Sequence, residues 1–105
     1  MTTQELQNHI HVYSMFSFRD GKREPGICIN KYNIPEGKLE YFFIPQNNMQ
    51  LYKSAFLKFD KETCMKLSMP ITCDDVINIR PVSLADYKMI MELILETKQQ
   101  ANSRN

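Results

Sequence analysis

Glycine is scarce in this chain, with only Gly21, Gly26 and Gly37 among 105 residues. Three isolated glycines cannot build the phosphate cradle of a Walker A loop or a dinucleotide fingerprint, so nucleotide hydrolysis and nicotinamide chemistry have no motif here. A charge excess is missing as well. Thirteen Lys and Arg stand against twelve Asp and Glu, a formal net charge of +1. The balance holds along the chain, with seven basic and six acidic groups over residues 1–60 and six of each over 61–105. Phosphate neutralisation supplies most non-specific affinity for nucleic acids, and the composition shows none of the basic surplus that normally serves it.

No stretch approaches the roughly 18 consecutive apolar residues of a membrane span. The opening Met1-Thr2-Thr3-Gln4-Glu5 lacks a basic segment followed by an apolar one, so neither export by such a signal nor membrane insertion is expected. Cysteine is limited to Cys28, Cys64 and Cys73, an odd number with no Cys-x-x-Cys pair. That is not a secreted disulfide framework, and reduced, mostly buried thiols in the cytoplasm are the expectation. Internal repeats, low-complexity tracts and dividing linkers are absent.

What is present suits one small ordered domain. A hydrophobic fraction of 43% with 24% charged residues allows burial to offset chain entropy. Residues 1–9 are polar and are expected to form a loose lead-in in which Thr3 caps at most one helical turn; residues 101–105 are expected to fray. From Ile10 the chain alternates, with Ile10, Val12, Ser14, Phe16 and Phe18 on one side and His11, Tyr13, Met15 and Ser17 on the other. Asp20-Gly21 then predicts a hairpin turn with positive φ at both central residues. A return strand follows over 26–32 with Pro25 at its entrance. Pro35-Glu36-Gly37 makes a second turn signal, and Leu39–Ile44 reads as a strand buried on both faces, the candidate centre of the sheet.

Pro45 stops that strand, and Asn47 or Asn48 can cap a helix. Met49, Tyr52, Phe56 and Phe59 recur at helical spacing and predict a helix over 48–59. A hairpin is the rival, because apolar and polar residues also alternate around Leu57–Phe59 and Met65–Ile71; residues 61–69 are open between the two. Val76–Val82 is a β-branched strand closed by Pro81. Ser83 and Asp86 then open a helix extending to about Gln99. Its broad apolar stripe is Leu84, Tyr87, Ile90, Met91, Ile94 and Leu95, with Leu93 on another side and Lys88 and Glu92 paired at i, i+4.

The expected fold class is therefore α+β: a small curved antiparallel sheet, or an open barrel of four to five strands, with a short middle helix and a long C-terminal amphipathic helix. In strand spacing it is similar to small SH3-like or Sm-like barrels, but no family motif accompanies that spacing and no functional residue is carried over.

Chemistry-bearing clusters are sparse. His9 and His11 would share a strand face and could join a cysteine on zinc, yet no paired ligand spacing supports a metal site. Asp74 and Asp75 are adjacent and suit a turn better than a calcium loop. Cysteine catalysis lacks a recognisable base and orienting partner. The expectation is a non-enzymatic protein-interaction domain without cofactor or metal, pairing as a homodimer through candidate residues Leu84, Tyr87, Ile90, Met91, Leu93 and Ile94. The alternative is a nucleic-acid-binding barrel that stacks bases on Tyr32, Tyr41 and Tyr52 and holds phosphates with Lys31, Lys38 and Lys53. Met65, Met69, Met89 and Met91 suit either a core or an adaptable partner surface.

Overall fold

The structure is a computed structural model, and it describes residues 1–92. It is α+β. Five strands, β1 (Ser14–Phe18), β2 (Arg23–Asn33), β3 (Lys38–Pro45), β4 (Met69–Ile71) and β5 (Val76–Pro81), form one antiparallel sheet in the order β4-β3-β2-β1-β5. The edge strands β4 and β5 do not pair with each other, so the sheet is open rather than closed into a barrel. β2, not β3, is its middle strand; β3 lies beside it, and only its apolar half, residues 41–44, is buried or half-buried on both faces.

The first expected strand is shorter than its alternation suggests. His11 takes a left-handed φ of 64°, which breaks the extended run, and Ile10 makes only an isolated bridge to Cys28. The β1–β2 turn spans residues 19–22; only Gly21 has positive φ, and Asp20 instead accepts from the Lys22 amide through its side chain at 2.9 Å. Gly26 is required by packing: a Cβ there would collide with the Ile44 carbonyl oxygen and lie 2.8 Å from the Phe43 ring.

The polar lead-in is ordered. Helix α1 (Thr3–Asn8) is capped by Thr2, not Thr3, whose hydroxyl accepts from the Glu5 amide at 3.1 Å. Leu6 projects from α1 into a core formed by Phe16, Cys28, Tyr41, Phe43, Ile71, Val76 and Ile79. Phe43 packs against two other rings there, 4.8 Å from Phe16 and 5.1 Å from Phe18 between centroids.

The register puts Ile27, Ile29, Phe42 and Ile44 on the opposite face. Helix α2 (Gln46–Leu57) packs over β2 and β3 there, and α3 (Lys61–Lys66) packs against α2. Neither Asn47 nor Asn48 caps α2, because the helix begins directly after Pro45; Asn48 instead donates to the Leu67 carbonyl at 3.0 Å and ties the two helices together. The segment 61–69 resolves into α3, capped by Asp60, and the start of β4. Phe59 falls outside α2. A fourth helix, α4, is described over 84–92; its expected continuation to Gln99, with Leu93, Ile94 and Leu95, lies outside the described residues. No helix among the described residues is long and apolar enough to cross a membrane.

Candidate interaction surface

The start of α4 is fixed by charge and capping. The Asp86 amide donates to the Ser83 hydroxyl at 3.1 Å while the Asp86 carboxylate accepts from the Ser83 amide at 3.0 Å, a reciprocal box at the helix N-terminus. Arg80, on β5, donates to both oxygens of the same carboxylate, one at 3.1 Å, and Arg23 of β2 stands 3.9 Å away. The Arg80 guanidinium, followed by the Ser83 amide and hydroxyl, holds the Asp86 carboxyl well below the usual carboxylate range. The pair shifts reciprocally, with Arg80 pushed up.

Farther along α4, Ile90 is buried, so of the six expected interaction residues this one docks the helix onto its own domain. Leu84, Tyr87 and Met91 are exposed at 73%, 54% and 40%. Their spacing of i, i+3 and i+7 sets them on one stripe of the helix. Burial, then the neighbouring Tyr87, pushes the Tyr13 phenol up. Leu93 and Ile94 lie outside the described residues.

The six residues of the nucleic-acid alternative do not share one surface. Tyr32 and Tyr41 are on the α1 side of the sheet, where Tyr41 is buried and donates to Gln7 Oε1 at 3.0 Å. Lys31 and Lys38 alternate onto the other side, and Lys38 is paired with Glu36 at 3.0 Å. Tyr52 and Lys53 belong to α2. No protein-family model, curated protein or solved structure matches this chain.

The remaining clusters have structural partners. His9 Nδ1 lies 2.7 Å from the Glu5 carbonyl oxygen at the end of α1. Cys28 is buried in the core and its thiol is pushed up to about 12, first by burial and then by the nearby Cys73. Cys64 sits on α3, across the sheet from both. Among the described residues no three His, Cys, Asp or Glu side chains group as a metal-ligand set. Asp75 accepts from the Thr72 amide at 2.8 Å and its hydroxyl at 3.1 Å, closing the turn before β5.

One surface is only partly represented among the sequence-based candidates, through Lys31, Tyr52 and Lys53. Tyr52 and Phe56, with ring centroids 6.0 Å apart, form a ridge on α2 flanked by two grooves. The groove on the His11 and Tyr13 side measures about 640 Å³, and the one toward α3 about 320 Å³. Helical spacing singled out Tyr52, Phe56 and Phe59; the missing signal was that α2 ends at Leu57 and turns sharply into α3.

Proposed function

We propose that this protein is a non-enzymatic protein-interaction domain that pairs with a second copy of itself through the exposed edge of α4. The observation that carries this reading is the Leu84, Tyr87 and Met91 stripe, solvent-facing on a helix whose buried side is already committed through Asp86 and Ile90. Each large apolar side chain transferred from water contributes about 1.5–3 kcal/mol before association entropy is set against it, so a few from each copy sustain a dimer. A two-fold axis relating the helices is the simplest closed geometry. The three free cysteines suit a reducing compartment such as the cytoplasm.

Sedimentation velocity of the wild type beside Tyr87→Lys and Met91→Lys tests the reading. A wild-type dimer that either substitution converts to a folded monomer is expected. A wild type that stays monomeric at high concentration removes it.

A further inference from the structure

Phe59 occupies a position at which a helix terminus favours glycine. The end of α2 is a Schellman arrangement: the Asp60 amide donates to the Ala55 carbonyl at 2.9 Å and the Phe59 amide to the Phe56 carbonyl at 3.1 Å. This geometry sets φ at Phe59 to 58°, left-handed backbone that is strained for a bulky side chain. Burial does not compensate, because Phe59 is 89% exposed. Strain held on a solvent-facing aromatic points to a role beyond folding.

That role is suggested by the groove beside it. Ile29 from β2 lines it from the sheet, Tyr52 and Phe56 come from α2, and Cys64 and Met65 come from α3. Burial, then the neighbouring Cys64, raises the Tyr52 phenol. Lys31 and Lys61 are exposed at the rim, and neither forms an ion pair among the described residues. The acidic residue of the lining, Asp60, is occupied as the cap of α3: its carboxylate accepts from the Thr63 amide at 3.1 Å and the Thr63 hydroxyl at 2.6 Å. An apolar trough with two ammonium groups at its rim, against the single hydrogen-bonded carboxylate of Asp60, complements a hydrocarbon body ending in an anion.

We propose that this groove binds an apolar monocarboxylate, its body against Ile29, Phe56, Phe59 and Met65 and its carboxylate between Lys31 and Lys61. At about 30 Å³ for each water-sized group, a volume of 320 Å³ holds about ten such groups, the size of a medium-chain acid. The site is separate from the α4 stripe and stands whether or not the chain dimerises.

Octanoate and 1-octanol, titrated while the Ile29 and Met65 methyl resonances are followed by NMR, form the test. Octanoate is expected to shift both methyls and to saturate with a dissociation constant below about 1 mM. Octanol, matched in chain but uncharged, is expected to bind at least about fivefold more weakly, and the Lys31→Gln/Lys61→Gln double variant to lose that difference. Both lysines are exposed, so circular dichroism should show the variant folded. Phe59→Gly separates site from scaffold: it relieves the left-handed strain, so the melting temperature should rise while octanoate affinity falls at least about fivefold. Equal binding of acid and alcohol, a dissociation constant above about 1 mM, or unchanged affinity in Phe59→Gly overturns the proposal.

Discussion

Asp86 links three stretches of the chain through one carboxylate: Arg23 on β2, Arg80 on β5 and Ser83 at the start of α4. Because its folded pKa lies below the unfolded value, its ionised form stabilises the fold at every pH above the ordinary carboxylate value of about 3.9. That contribution diminishes as pH falls below this value toward the folded pKa. Asp86→Asn keeps the size of the side chain and removes the charge. The variant should therefore unfold at lower urea than the wild type at pH 7, and the two midpoints should converge as pH drops from about 4 to 2. A gap that stays constant over this range would show that the charge does not secure α4. Sequence pattern alone identified Ser83 and Asp86 as a helix start; it could not identify Arg80 and Arg23, which reach the carboxylate only when the sheet brings β5 and β2 to the same side.

The same division between local and long-range information holds for whole elements. The β1–β2 turn, β3, β5 and most of α2 were legible because alternation, Pro, Gly and helical spacing are local signals. Helix α1 was not, since six residues with one buried apolar side chain carry almost no periodicity, and a helix that short is marginal alone. Its order comes from Thr2 at the cap and from Leu6 entering a core built by residues ten to seventy-three positions away. The end of α2 was misplaced for a similar reason: Phe59 continues the apolar spacing, but its backbone has already turned left-handed. Of the candidate surface, the Leu84, Tyr87 and Met91 stripe was legible from spacing, whereas the α2–α3 groove required tertiary contacts to bring Lys31 and Lys61 to one lining. Leu6→Ala tests the weight of α1. Deleting this fully buried side chain should destabilise the protein by about 2–5 kcal/mol, as for other core leucines. Leu51→Ala, on the exposed side of α2, should change stability by less than about 0.5 kcal/mol. Equal urea midpoints for the two variants would place α1 outside the cooperative core.

At the scale of the molecule, an open sheet has two faces to cover, and its helices do so unevenly. The α1 side is closed by Leu6 over a tight ring cluster. The other side carries α2, α3 and α4, yet Ala55 is the buried residue of α2, and α4 leaves Leu84 and Tyr87 largely in solvent. Apolar surface of this kind is stabilised by association, which couples folding to concentration in a way that intramolecular packing cannot. For a two-chain assembly, each hundredfold rise in concentration above the dissociation constant adds about 1.4 kcal/mol per chain, half of RT ln 100. In a domain of this size that raises the melting temperature by roughly 5–10 °C. Tyr87→Lys should remove the dependence, because an ammonium group in the centre of an apolar two-fold contact meets its own copy. Melting curves collected for both proteins across that concentration range decide the matter: a rising wild type and a flat variant are expected, and a flat wild type shows that the α4 stripe does not pair two copies.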